Sequence, residues 1–288
     1  MKEVACLNGR MLPLSEARIP VDDRGFLFGD SVYEVARTYG GRIWALDRHL
    51  ARLRRSLAAI AIEGADLDAL RADILEAHRQ SEIETAVIYI QITRGVAPRS
   101  HVPDGAMTPT VLVTVRPLGG PGPTSRPDEG VRALLMPEAR WARRDIKSTN
   151  LLPNILAKRE ARSAGAFEAI FTTDDGWITE GSSSNVFVVQ AGTARTPPKG
   201  AHLLPGITRD LVIEITRDEG IPLEEALVSR ADLFAADEVF LTGTGAEVIG
   251  VVRIDEETIG SGRVGPVTRR LLDAYHEWIA AGRDGLRE

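Results

Sequence analysis

The hydrophobic pattern of the chain alternates between a period of two and a period near 3.6. Residues 32–39 have β character. Leu46, Leu50, Leu53, Leu57 and Ile60 then recur at spacings of three and four, which predicts an amphipathic helix over 46–62 with Asp47 as its N-cap. A second helix is predicted near 67–80, followed by strands over 86–94 and 110–116. Further along, the pattern predicts a strand over 131–136, a helix over 151–164 stopped by Gly165, and β segments over 169–173 and 185–189. A helix opens at Gly206-Ile207-Thr208 and ends at Gly220, strands follow over 238–242 and 248–254, and a last helix covers 266–281. Residues 117–127 hold four prolines and three glycines, which can build neither a helix nor a central strand. The chain thus divides into a smaller N-terminal α/β domain, 1–117, a linker, 118–127, and a larger C-terminal domain, 128–288. The alternation keeps no regular βαβ period, so the class is α+β rather than a doubly wound parallel sheet.

Composition narrows the function classes. A net charge of -6 argues against a nucleic-acid partner. No apolar run reaches the roughly 20 residues that span a bilayer, so no membrane association is expected. The opening residues lack an apolar signal region, and the one cysteine, Cys6, permits neither an internal disulfide nor a cysteine-rich zinc site; a cytoplasmic location is expected. Of 35 basic residues only Lys2, Lys147, Lys158 and Lys199 are lysine, so lysine chemistry has few candidates.

A nucleophilic lysine must be neutral, a state favoured by neighbouring positive charge and desolvation. Lys147 follows Arg143 and Arg144 and is flanked by Ile146, Leu151 and Leu152, whereas the other three stand in terminal, charged or loop contexts. Local context equally allows a surface lysine at a helix start. Gly206-Ile207-Thr208 opens a helix whose free N–H groups suit a phosphate, and Thr242-Gly243-Thr244 is a second possible cradle, with Arg52 a source of charge. Each also reads as an ordinary helix end, turn or solvated face. Thr242-Gly243-Thr244-Gly245 is not a dinucleotide fingerprint, since β-like residues follow where a helix must open. Residues 178–185 form a polar turn in which Glu180 is either a loop residue or a carboxylate beneath a heteroaromatic nitrogen. Arg99 and His101, two apart on an extended loop, could converge on one carboxylate or stand in solvent.

In order, the chain carries Asp23-Arg24-Gly25 with Gly29-Asp30, His49-Leu50-Ala51-Arg52-Leu53, Thr93-Arg94-Gly95 and the Lys147 segment. Thr179-Glu180-Gly181, with its serines and Asn185, Gly206-Ile207-Thr208-Arg209 and Thr242-Gly243-Thr244 follow. Together these resemble the class IV, fold-type IV pyridoxal-phosphate aminotransferases over about residues 4–275. Pro98-Arg99-Ser100-His101 is most similar to the D-amino-acid branch. Leu151 and Leu152 stand where branched-chain L-aminotransferases place a tyrosine, and the aminodeoxychorismate lyases lack the Arg-x-His pair. Arg37 where lysine is common, and Gly243 where serine is found, are departures.

The resemblance implies a two-domain fold-type IV enzyme with the cofactor cleft between its domains. It implies that Lys147 forms the Schiff base with pyridoxal 5'-phosphate and that Glu180 keeps the pyridine nitrogen protonated. Arg52, Ile207, Thr208 and Thr244 would hold the phosphate, with Leu204 supporting the ring. Tyr33, Arg99 and His101 would bind the substrate carboxylate, the last two reaching over from a partner in a homodimer. The implied reaction is ping-pong transfer from a D-amino acid of the D-alanine/D-glutamate type to a 2-oxo acid. The alternatives are an (R)-amine or branched-chain L-amino-acid transaminase, an aminodeoxychorismate lyase, or a binding module without chemistry.

Overall fold

The computed structural model describes residues 2–103, 105–119 and 128–284. It divides into two units, one of residues 1–119 with 146–150, the other of 120–145 with 151–288. Of the expected linker, residues 120–127 lie outside the described residues.

The first unit begins with β1 (Val4–Leu7) and β2 (Arg10–Pro13), then the short helix α1 (Arg24–Phe28), capped by the Asp23 carboxylate at the Gly25 N–H. Gly29 closes α1 at φ 66°, a left-handed conformation that glycine adopts without penalty. β3 (Ser31–Tyr39) shows the period of two: Val32, Glu34, Ala36 and Thr38 are buried, while Tyr33, Val35 and Arg37 share the other face. β4 (Arg42–Ile43), α2 (Leu46–Ala59), α3 (Leu67–Ser81), β5 (Ala86–Thr93) and β6 (Thr110–Pro117) complete the unit. The sheet order is β2-β1-β6-β5-β3-β4, antiparallel throughout. The leucine face of α2 and the Leu70, Ile74 and Ala77 face of α3 enclose Val32, Ile88, Ile90, Val113 and Val115.

α2 begins one residue earlier than its expected cap. Ala45 turns left-handed at φ 52° and serves as the N-cap, so Asp47 lies inside the first turn, where its charge favours the helix dipole and its carboxylate accepts from Arg71. The helix stops at Ala59, short of Ile62, because Ala61 is also left-handed.

The second unit contains β7 (Val131–Pro137), α4 (Leu152–Ser163), β8 (Glu168–Thr172), β9 (Ile178–Gly181), β10 (Asn185–Gln190) and β11 (Thr193–Thr196). It continues with α5 (Ile207–Asp218), β12 (Leu223–Glu225), α6 (Arg230–Ala235), β13 (Glu238–Gly243), β14 (Glu247–Ile254), β15 (Glu257–Thr258) and α7 (Pro266–Ala281). Eight strands run β12-β11-β10-β13-β14-β7-β8-β9, and β15 pairs with β14. Pairing is parallel at β14–β7, β7–β8 and β11–β12 and antiparallel elsewhere, as an α+β assignment allows. β8, β10, β13 and β14 are buried almost continuously, so both faces of this sheet are covered.

Candidate active site

In the first unit the site is built on β3, α2 and the segment 146–150. Glu34 occupies a buried position of β3, and His49, Arg52 and Ser56, spaced by three and four, share one face of α2. Arg52 places Nε 2.7 Å from Glu34 Oε1 and Nη2 2.8 Å from Oε2, a two-pronged pair, and His49 Nδ1 lies 2.7 Å from Oε2. Burial alone would raise the Glu34 pKa, but Arg52 and then His49 hold it far below the carboxylate range. Burial also lowers the pKa of His49, against the pull of Glu34. Burial thus disfavours the charged form of His49, whose Nδ1 faces the ionised Glu34 carboxylate.

Lys147 hangs beside this cluster. Its N–H donates to Ser56 Oγ at 3.2 Å, its carbonyl accepts from the Tyr33 N–H at 2.9 Å, and its Nζ lies 4.3 Å from the centre of the Tyr33 ring. The segment carrying it, expected in the second domain, packs with the first unit: Ser148 bridges Val32 and Ile146 enters the first core. Arg143 and Arg144, the neighbours expected to press on Lys147, belong to the second unit and are engaged there, Arg143 by Asp145 and Arg144 by Glu138.

In the second unit the site is built around Glu180. The polar turn expected here is in its first half a strand, because Ile178–Gly181 pairs with β8, and Glu180 is buried on β9. Its Oε1 accepts from Arg140 Nη1 at 2.6 Å, and its Oε2 from Asn185 Nδ2 at 3.1 Å and the Leu204 N–H at 3.0 Å. Arg140 offers Glu180 a single N–H but gives Glu138 both prongs, at 2.9 and 2.6 Å, and stacks over Phe171. Burial would raise Glu138, yet Arg140 holds it low. At Glu180 burial outweighs the contacts of Arg140 and the Leu204 N–H and pushes the pKa up to about 7.

A cradle adjoins this carboxylate. α5 opens at Gly206 without a side-chain cap, and Thr208 in its first turn is buried. A Cβ on Gly206 would come within 2.0 Å of Asn185 Oδ1, so the backbone can approach Asn185 only as glycine. Asn185 Nδ2 in turn bridges Glu180 and the Leu204 carbonyl, which tightens the turn ahead of α5. Thr242, at the end of β13, has a buried Oγ1 with no partner, and Gly243 and Thr244 lead into the turn before β14, not into a helix.

Within each unit the donors suit a part of pyridoxal phosphate. A carboxylate has about four acceptor sites; three are filled at Glu180, leaving one for a ring N–H. The uncapped start of α5, the Thr208 hydroxyl and the unpartnered Thr242 hydroxyl suit a phosphate. Arg52 carries a charge whose orientation Glu34 fixes.

The structure thus groups Tyr33, Arg52 and Lys147 in one unit and Glu180, Leu204, Ile207, Thr208 and Thr244 in the other. Arg99 and His101 stand together in the first unit: both are exposed, with Arg99 5.2 Å and the His101 ring 5.8 Å from the centre of Phe28. Sequence reasoning assigned no role to Glu34, His49, Arg140 and Glu168. Glu34 had a signal, an acid on the apolar face of an alternating strand. Glu168 is fully buried and accepts from the hydroxyls of Ser182, Ser183 and Ser184 and from Lys158, so it ties down the turn between Glu180 and Asn185.

The family model for amino-transferase class IV matches residues 31–254. The D-alanine aminotransferase of Bacillus licheniformis is 42% identical over 273 residues, covering 94% of this chain and 95% of that protein. The D-alanine aminotransferase of Staphylococcus haemolyticus is 38% identical, covering 95% and 96%. Among solved structures, the branched-chain amino acid aminotransferase of Escherichia coli superposes with a TM-score of 0.90 at 29% identity, covering 97% of this chain and 95% of that one. The branched-chain aminotransferase of the archaeon Thermoproteus uzoniensis, solved with norvaline, gives 0.88 at 29% identity, covering 98% and 96%.

Proposed function

The chain belongs to the class IV aminotransferases, enzymes that use pyridoxal phosphate, and we propose that its own reaction carries the amino group of a D-amino acid, of the D-alanine or D-glutamate type, to a 2-oxo acid. Likeness to D-alanine aminotransferases along nearly the whole chain carries this reading. The Arg99 and His101 pair, set side by side on Phe28, supports it, because two donors on one short loop suit a carboxylate.

When bound, the cofactor supplies a carbonyl that takes the amino group and a ring that accepts the electron pair left at Cα. The protein's part is binding and proton transfer. Lys147 Nζ would anchor the cofactor covalently and, once released, take the proton from substrate Cα. Glu180, oriented by Arg140 and Asn185, would hold a proton at the ring nitrogen, and Leu204 would support the ring. Ile207, Thr208, Thr244 and Arg52 would hold the phosphate. Tyr33, Arg99 and His101 would bind the carboxylate, with the last two serving a partner in a homodimer; Phe26 and Val102, 74% and 77% exposed near that loop, favour such a contact. No helix among the described residues is long and apolar enough to cross a membrane, and a lone buried cysteine accords with a cytoplasmic enzyme.

The visible absorption spectrum of the holoenzyme tests the assignment. D-alanine should discharge the cofactor's visible band, L-alanine should leave it, and Lys147→Ala should abolish turnover while retaining the fold. Discharge by L-leucine and not by D-alanine would move the substrate class to branched-chain L-amino acids, branched-chain substrates being those named for the solved structures.

A further inference from the structure

The first motif in the chain, Asp23-Arg24-Gly25 with Gly29-Asp30, takes no part in the chemistry above. Arg24 lies on α1 and is only 4% exposed. Its Nε donates to Asp30 Oδ2 at 2.8 Å, its Nη1 to the Ser100 carbonyl at 2.5 Å and its Nη2 to the His101 carbonyl at 3.1 Å. Its guanidinium also stands 4.8 Å from the centre of Phe28, the ring that carries Arg99 and His101. Asp30 is itself gripped by Arg94, at 2.8 and 3.0 Å, and Arg94 reaches on to the Ile60 and Ala61 carbonyls that follow α2. The end of α2, Arg94, Asp30, Arg24 and residues 100–101 therefore form one chain of charge-assisted bonds.

Exposed loop carbonyls ordinarily face water. Here two successive carbonyls converge on one buried guanidinium, although the side chains beside them, Arg99, Ser100 and His101, are exposed. Three acceptors in different directions require the planar fork of arginine; a lysine ammonium on a flexible stem cannot span them. The backbone of 100–101 sets where Arg99 and His101 point, and Arg24 sets that backbone.

We propose that Arg24 is a positioning residue for the substrate carboxylate, acting through the loop that carries Arg99 and His101. The proposal rests on the reading of those two residues as carboxylate contacts.

The test is steady-state kinetics of the holoenzyme with D-alanine for Arg24→Gln, Arg24→Lys, Arg99→Ala and the double variant Arg24→Gln/Arg99→Ala. Arg24→Gln should raise KM about tenfold or more while kcat changes less than about threefold, with Arg24→Lys intermediate. In the Arg99→Ala background, Arg24→Gln should add less than about twofold, because the residue it acts through is already gone. A KM within about twofold of wild type for Arg24→Gln, beside a raised KM for Arg99→Ala, would overturn the proposal. So would an equal rise in both backgrounds, the mark of a general structural effect. An unchanged KM for Arg99→Ala would instead overturn the carboxylate reading beneath it. If Arg24→Gln does not fold, Arg24→Lys carries the same comparison.

Discussion

Replacing Glu34 by Gln isolates the electrostatics of the first half-site. The substitution keeps shape and volume but removes the charge facing Arg52. The side chains of Glu34, His49 and Arg52 are 0%, 3% and 4% exposed, so water cannot replace the lost partner. Whichever way the amide turns, its NH2 also faces an Arg52 N–H, Nε on one side and Nη2 on the other, setting donor against donor where an acceptor stood. Breaking a buried pair in this way costs about 3–5 kcal/mol. With a urea dependence of about 2 kcal/mol per molar, the midpoint should fall by about 2 M. Fluorescence of the four tryptophans, of which Trp44 lies in the first unit, follows the transition. Glu34 is held ionised well below its ordinary pKa of 4.5. Its contribution is thus complete above about pH 4.5, and the gap between wild type and variant should narrow as pH falls below that value. The control is Glu76→Gln. Its bonds to Arg79, at 2.6 and 2.7 Å, are just as short, but the pair is exposed and its loss should leave the midpoint unchanged. A midpoint shift for Glu34→Gln no larger than that of the control would refute the reasoning, since burial would then confer nothing.

Two further outcomes follow from the second half-site. With its pKa pushed up to about 7 from 4.5, Glu180 resists ionisation in the cofactor-free fold, so its contribution is full below pH 4.5 and is lost as pH rises toward 7. Cofactor-free wild type should lose roughly 3 kcal/mol relative to Glu180→Gln between pH 4.5 and 8, read by urea unfolding; identical pH slopes would show that the carboxyl is not strained by burial. Gly206→Ala keeps an ordinary backbone, φ -67°, but forces Asn185 from Glu180 and Leu204. Two lost bonds, about 1–3 kcal/mol, should weaken cofactor binding about tenfold or more in an absorbance titration, and an unchanged affinity would show that Asn185 does not shape the cradle.

The longer elements were legible because their periods are strong. The leucine face of α2 and the alternation of β3 mark themselves. β1, β2, β12 and β15 are too short to display a period, and α1 and α6 hold five and six residues. β9 was hidden for another reason: Thr179, Glu180 and Gly181 read as turn formers, and only pairing with β8 and burial make them a strand. The site was legible as family motifs, not as geometry. Arg140 meets Glu180 across 40 residues, and Glu168 meets the serines across 14 to 16; no periodicity links such positions.

The use of basic residues connects these observations. With 35 basic residues and only four lysines, the chain relies on arginine for its buried cations: Arg24, Arg52 and Arg209 are buried, the Arg140 side chain is only 5% exposed, and each donates to a carboxylate, Arg52 and Arg140 with two prongs. That is the task for which a planar, permanently charged, two-pronged donor is suited. Two of the lysines, Lys158 and Lys199, are tied to Glu168 and Asp210 at 3.0 and 2.9 Å. Lys147 faces the Tyr33 ring and has no carboxylate partner among the described residues. A lysine that must act as a free amine has no ion pair to break there. The charge network of Glu34 with Arg52 and His49 lies beside it, and Lys147 helps keep charge off His49. The same division explains why Arg24 in place of a lysine matters at the 100–101 loop: fixed direction is an arginine property, and chemical availability a lysine one.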